Sequence, residues 1–364
     1  MKTNRQMEED LAATRDETIT ITCVAAGDNI IHKPVYRSYA LPEGGYNFLP
    51  AYQQLRAVVE KADVAFLNQE SVCGGSSLGI SDFPQFNSPY EVLDAVAQTG
   101  FNWINTASNH SLDRGPVTLL SQLARITEIE RITQTGTNAV EADADAPTVL
   151  NIHGLRVGLA SYTYGINASA LPKGRDYLVN LYDEKRIISD LSDLGAVSDI
   201  QIVSMHWGDE YSHEPNSEQL YYAQLLADLG VNVVIGTHPH VLQPVCWLTG
   251  KHGNKTLVLY SLGNLLSAQD EPVRLLGALA CFLITYNPIE ALLNETDAVT
   301  VHNLRLLPIV THIDTNGRGH RAYLLDSYPE ELASQHLLVS KGLNRRILIR
   351  LAEQVLGDSA HPCY

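Results

Sequence analysis

The sequence predicts an α/β protein built on layered sheet with right-handed crossovers. Apolar, β-type runs alternate with segments of helical period along most of the chain. Neither an internal repeat nor a low-complexity linker breaks that alternation. With 364 residues, 45% of them hydrophobic, the chain can bury one large core or two ordinary ones.

The elements follow in order. Ile19 to Ala26 reads as a strand that stops at Gly27-Asp28. Tyr52 to Lys61 reads as a helix, and Val64 to Leu67 as a buried strand ending at Asn68-Gln69-Glu70. Pro89 to Thr99 is a helix with proline in its first turn, where a missing N–H is tolerated. Phe101 to Thr106 is the next strand, stopping at Ser108-Asn109-His110, and Gly115 to Glu130 is an amphipathic helix. Thr148 to Ile152 and Arg156 to Tyr162 flank His153-Gly154-Leu155 as a hairpin. Helices over Asp183 to Leu194 and Glu218 to Leu229 each precede a strand. These strands, Asp199 to Met205 and Asn232 to Ile235, run into His206-Trp207-Gly208 and Gly236-Thr237-His238-Pro239-His240. Leu257 to Tyr260 ends at Ser261-Leu262-Gly263-Asn264, Leu276 to His312 is mostly β, and Pro329 to Leu356 is one or two helices. The expected organisation is a polar leader over 1–17, a main domain over 18–327, and a helical extension over 328–364 packed on that domain.

Charge and composition narrow the function classes. Lys and Arg total 25 against 41 Asp and Glu, a net charge of −16, which repels nucleic acid and anionic lipid. No apolar run is long enough to span a bilayer, and the opening MKTNRQMEEDLAATRDE does not read as a secretory signal. Five cysteines, at 23, 73, 246, 281 and 363, show no C-x-x-C spacing. They read as buried, inert thiols rather than as a disulfide framework or a thiolate metal site.

The informative feature is where polar residues interrupt the apolar runs. Five strands end in metal-capable side chains: Asp28, Glu70, Asn109-His110, His206, and His238-x-His240. In open α/β sheets, sites assemble at the carboxyl ends of strands, so these bursts are expected to converge. Each alone has an ordinary reading: a Gly-Asp turn, a loop acid, a helix cap, a core histidine. The pair around Pro239 is hardest to explain that way, since two histidines two apart on an extended segment share a side. Carboxylate, amide and imidazole without thiolate suit one or two divalent ions, Mn, Fe or Zn in preference to Mg. Arg114, beside Asp113, is a candidate for oxyanion binding, or a plain loop ion pair. Trp207, Glu210, Tyr211, His213 and Glu214 form a polar-aromatic loop suited to a substrate wall, and Asn264 is a candidate support for the ligands.

The stretches AAGDNIIHKPVY, FLNQESVCGG, FPQFNSPYEVLDA, INTASNHSLDRG, VGLASYTYGIN, VSMHWGDEYSHEP, VVIGTHPHVLQPV and LYSLGNLLSAQ occur in an order that resembles the poly-γ-glutamate capsule (CapA, PGA-cap) family. That family is a branch of the calcineurin-like metallophosphoesterases. The resemblance covers about residues 19 to 270 and implies a four-layer α/β/β/α sandwich. It further implies Asp28 and His240 at a first metal, Glu70 as the bridging carboxylate, and Asn109, His206 and His238 at a second, with His110 as general acid. Two departures stand out: Ile30 occupies the place of a superfamily histidine, with His32 two residues on, and the bridging position carries Glu rather than Asp. The resemblance implies capsule-polymer biosynthesis proteins or an envelope precursor as partners, with relatives often outside the membrane. It leaves open a metal-dependent phosphoesterase, a non-catalytic accessory protein of polymer synthesis or export, and a glutamyl amidase or peptidase.

Overall fold

The computed structural model describes residues 18–293 and 298–357. Among them, fourteen strands form two sheets, labelled in chain order: β1 (Ile19–Asn29), β2 (Val64–Gln69), β3 (Trp103–Asn105), β4 (Thr133–Thr135), β5 (Thr148–Ile152), β6 (Leu155–Thr163), β7 (Ile200–His206), β8 (Val233–Thr237), β9 (Val245–Thr249), β10 (Lys255–Leu259), β11 (Asn264–Leu266), β12 (Leu276–Tyr286), β13 (Val299–His312) and β14 (Arg321–Leu324). The first sheet runs β14-β13-β12-β1-β2-β3-β4 with β11 also on β1; the second runs β5-β6-β7-β8-β10-β9.

Side-chain alternation explains the layering. Successive residues of a strand face opposite sides. Along β1, Ile21, Cys23 and Ala25 enter a core between the sheets with Phe66, Trp103, Val157, Ile202, Val233 and Leu257. Val24 and Ala26 face the other way, against Val59, Val92 and Val96 of the helical stretches Arg56–Val59 and Glu91–Thr99. On the second sheet, Val203, Met205, Val234 and Val258 face outward to Ile187, Leu191, Ala223 and Leu226 of the helices Glu184–Val197 and Ser217–Asp228. Both sheets are therefore covered on both faces, which is why β2 and β8 read as unbroken apolar runs. The arrangement is the expected α/β/β/α sandwich. Leu338, Leu343, Leu348 and Ala352 of the C-terminal segment join the core between the sheets, while the expected leader 1–17 and the end of the extension, 358–364, lie outside the described residues.

Several local expectations are corrected. β1 does not stop at Gly27 but continues to Asn29, because its end pairs with β2 and with β11, a three-residue strand too short to show a period. The helix expected over 52–61 is three pieces, Leu49–Tyr52, a 3-10 turn Gln53–Leu55, and Arg56–Val59. The polar β4 and the short β9 and β14 went unread for want of an apolar alternation. Cys23, Cys73 and Cys281 are buried free thiols, but Cys246 is disulfide-bonded. Pairing depends on Cβ proximity in space, which scattered sequence positions do not reveal.

One contact fixes how β1 delivers its end to the site. The Asp28 N–H donates to Gly263 O at 2.9 Å, and a Cβ built on Gly27 would stand 1.8 Å from that same oxygen. Gly27→Ala is expected to destabilise the fold by about 1–3 kcal/mol or more through this backbone clash. Chemical denaturation measures it; a stability equal to wild type would refute the packing described.

Candidate metal centre

β1, β2 and β3 run parallel in one sheet, and β7 and β8 run parallel in the other. Their carboxyl ends meet between the sheets. The β1–β2 register slips between Ala25 and Asp28, and Asp28 then stands opposite both Asn68 of β2 and Asn264 of β11. Asp28, Glu70, Asn109, His206, His238 and His240 are all buried there.

Asp28 is the hub. Its carboxylate accepts from Asn68 Nδ2 at 2.8 Å, from the His238 N–H at 3.2 Å to each oxygen, and lies 3.1 Å from His240 Nδ1. His240 Nε2 is 3.4 Å from Glu70 Oε1. His206 Nε2 is 3.0 Å from Asn109 Oδ1, and its Nδ1 is 3.0 Å from the Thr237 hydroxyl. The donor atoms fall into overlapping triads: Asp28, Glu70 and His240; Glu70, His206 and His238; and Glu210, His238 and His240, each within 4.8 Å of one another. Glu70 belongs to the first two. Glu70 Oε1 and His238 Nδ1 are buried without a hydrogen-bond partner, a costly condition for such groups that a cation between them would relieve. Oxygen and imidazole donors fit a divalent ion.

The cluster holds its protons unevenly. Burial pushes Glu70 well above the usual carboxylate range, with Asp28 adding to the rise and His240 opposing it. Burial also pulls at His240, but Glu70 and Asp28 together overcome it and lift the imidazole to about 9. His206 and His238 fall well below their ordinary value, first through burial and then through neighbouring histidines. Neutral imidazoles are what a metal requires.

The His238-Pro239-His240 segment is not extended, as the spacing suggested. His238 and His240 take φ of 99° and 59°, a left-handed backbone that costs about 1–3 kcal/mol at a non-glycine residue. It is held by the bond from His238 N–H to Asp28, by Tyr211 N–H to Pro239 O at 2.7 Å, and by Asn264 Nδ2 to His240 O at 3.3 Å. Each ring consequently joins a different triad with Glu70, and the two rings meet in the third triad with Glu210.

Beside the cluster, His110 Nδ1 lies 2.7 Å from Asp113 Oδ2, which also accepts the Phe86 N–H at 2.7 Å. A carboxylate at Nδ1 keeps a proton on that nitrogen and leaves Nε2 outside this contact. The other expected residues divide. Glu210 is exposed and reaches His238 and His240; Tyr211 has its ring 6.0 Å from that of His240. Trp207 is fully buried in the outer core, with Nε1 donating to Tyr260 O, and offers no face to a substrate. Arg114 donates both terminal nitrogens to Gly79 O and Leu78 O, away from the cluster. His213 Nδ1 binds Leu242 O at 2.8 Å and lines a separate cavity of about 310 Å³ with Pro244 and Leu351. His32 is in no triad; its Nδ1 accepts the Ala268 N–H.

Three neighbours escaped the sequence reading. Asn68 Nδ2 lies within 3.4 Å of Asp28, Glu70 and His206. Tyr164 stacks parallel to His206 and sits 4.8 Å from His238. Asn167 lies between Asn109 and His110. Asn68 was visible as the polar residue two before Glu70. The last two follow β6, whose end carries no charged donor, so nothing in its ending drew notice.

A family model described as bacterial capsule synthesis protein PGA_cap matches residues 22–269, more than half of the chain. The chain belongs to this family. It is 27% identical over 180 residues to PGA biosynthesis protein CapA of Bacillus subtilis (strain 168), covering 49% of this chain and 46% of that protein. It is 28% identical over 183 residues to capsule biosynthesis protein CapA of Bacillus anthracis, covering 49% and 43%. The match thus spans a little under half the length of these relatives. Among solved structures it is similar to a 5'-nucleotidase precursor from Thermus thermophilus (TM-score 0.46, 15% identity, 93% of this chain and 59% of that one). It is also similar to the calcineurin-like phosphoesterase YfkN from Bacillus subtilis (TM-score 0.43, 10% identity, 93% and 97%).

The electrostatics give a direct test. In metal-free protein the His240 ring is expected to titrate near pH 9, and Glu70→Gln to lower that value by about one pH unit or more. The folded chain binds this proton more tightly than the unfolded one. Its contribution to stability is therefore complete below pH 6.5 and fades as pH rises through about 9. Ring-proton NMR of wild type and variant reads both values, and a His240 titrating at or below 6.5 would contradict the geometry.

Proposed function

We propose that this protein is a metal-dependent phosphoesterase-type hydrolase serving capsule or poly-γ-glutamate biosynthesis in the cell envelope. The observation that carries the reading is Glu70, one buried carboxylate shared by two donor triads, with its Oε1 and the neighbouring His238 Nδ1 lacking a hydrogen-bond partner. In this reading Asp28, Glu70 and His240 hold one ion, and Glu70, His206, His238 and Asn109 hold a second, Mn, Fe or Zn suiting the donors better than Mg. When bound, such a pair supplies positive charge at phosphoryl oxygens and acidifies an attacking water.

The chain's own residues supply the remainder. Asp113 fixes the His110 ring through Nδ1, so that Nε2 of the doubly protonated ring would deliver its proton to the departing oxygen. Phe86 meets His110 edge-on at 4.8 Å and limits its rotation. Tyr164, over His206 and His238, covers one side of the cluster and keeps solvent from it. Asn68 holds the Asp28 carboxylate toward the other ligands. Family membership supports the capsule context; partners would be other polymer-biosynthesis proteins or an envelope precursor. No helix among the described residues is long and apolar enough to cross a membrane.

One observation favours a second reading, a metal-binding accessory protein without turnover. Ile30 is buried and brings no donor where the resemblance implies a histidine, and His32 does not replace it. Metal analysis of protein purified without chelator is expected to find one or two divalent ions per chain. With Mn added, p-nitrophenyl phosphate or its bis ester should be hydrolysed. His238→Ala should lower that rate about a hundredfold or more, since even outer partners of metal ligands are worth about 10–100-fold. Bound metal without turnover selects the accessory reading, and absence of metal sinks both.

A further inference from the structure

We propose that Arg274, stacked on Tyr211 beside His240, recognises an oxyanionic group of the substrate, whether phosphoryl oxygens or a carboxylate. The inference rests on the substrate-processing role proposed above and names the residue that selects for a negatively charged ligand.

Position comes first. The Arg274 guanidinium carbon lies 3.5 Å above the Tyr211 ring centroid, and that ring stands 6.0 Å from His240. Asn264 binds this wall to the cluster: its Nδ2 lies 2.9 Å from Arg274 O, 2.9 Å from Gln269 Oε1 and 3.3 Å from His240 O. Gln269 Nε2 in turn reaches the Tyr211 hydroxyl at 3.4 Å. The wall is thus built from the same loops that hold His240.

Charge comes second. Arg56, Arg125, Arg156, Arg186 and Arg321 each sit on a carboxylate. Among the described residues no carboxylate pairs with Arg274, and its Nε is buried with no hydrogen-bond partner. Arg114 and other arginines also lack a carboxylate partner among the described residues. Arg274 is set apart because its buried Nε is unsatisfied with no carboxylate on the guanidinium, whereas Arg125 and Arg321, whose Nε atoms are also unsatisfied, have one. Burying part of a guanidinium with an unsatisfied donor carries a cost that a bound oxyanion would remove. Tyrosine occupies a flat face of the cation, and among the described residues none of its N–H donors is taken, so they are free to hold a planar or tetrahedral anion. Stacking also limits the rotamers of Arg274 before the ligand arrives, so less freedom is lost on binding. Arg114, which the sequence offered for this task, has its donors committed to Leu78 O and Gly79 O.

The test is calorimetric titration of the full chain with inorganic phosphate and, separately, with γ-glutamylglutamate, in metal-free and Mn-loaded protein. Arg274→Gln is expected to weaken the anion that binds by about tenfold to a hundredfold, the range of a charge-assisted contact. Arg274→Lys, which keeps the charge but not the fork, should recover part of the loss. Phosphate binding assigns the group as phosphoryl, dipeptide binding as carboxylate, and either supports the inference when it depends on Arg274. Equal affinities in wild type and both variants, or no binding of either anion by wild type, overturn it. Thermal unfolding of each variant checks the fold, and Arg274→Lys remains a test if Arg274→Gln unfolds. Metal content separates this inference from the proposed function. Arg274-dependent binding by protein that takes up no metal would sink the hydrolase and keep the anion site; normal metal content with Arg274-independent binding would do the reverse.

Discussion

The structure depends on one buried carboxylate. Asp28 sits at the end of β1, in the middle of the first sheet, and its oxygens accept from Asn68 of the same sheet and from the backbone N–H of His238 beyond β8 of the second. A fully buried acid is tolerated only when its lone pairs are occupied, and here the occupants come from both sheets. The same contacts fix the spacing between the sheets at the place where five strand ends meet.

From that constraint the rest of the centre follows. The bond to Asp28 holds His238 in a left-handed conformation that its side chain would otherwise disfavour, and the turn sends His238 and His240 to different partners around Glu70. Dense packing of carboxylates and imidazoles then produces opposed shifts, with His240 holding a proton near two acids while His206 and His238 stay neutral. Glu70 Oε1 and His238 Nδ1, buried without a hydrogen-bond partner, leave the protein's own network unfinished.

The layered fold and the converging strand ends were legible because both are written in local patterns. Apolar runs such as β2 and β8 announce burial on two faces, and a polar burst at the end of each is visible without coordinates. Geometry inside the bursts was not. The residue after a strand end carries no mark of its φ, so the extended reading of His238-Pro239-His240 failed. Trp207 illustrates a second limit: a residue one step beyond His206 points to the opposite face, and the loop's composition suggested a wall where the chain was still inside the outer core. Asn68, Tyr164 and Asn167 were passed over because neutral side chains at a strand end resemble ordinary loop polarity. The disulfide at Cys246 likewise depends on proximity that spacing does not encode.

The His238–Asp28 contact joins residues 210 positions apart, and His240–Asp28 joins residues 212 apart. Closing so long a loop carries an entropic cost, so these pairings are among the strongly non-local contacts of the fold. A cation held by both halves would bind the completed chain and not its early collapsed forms, acting by mass action as a latch on the finished molecule. Retention of the ion after synthesis would then report conformational maturity as well as readiness for chemistry.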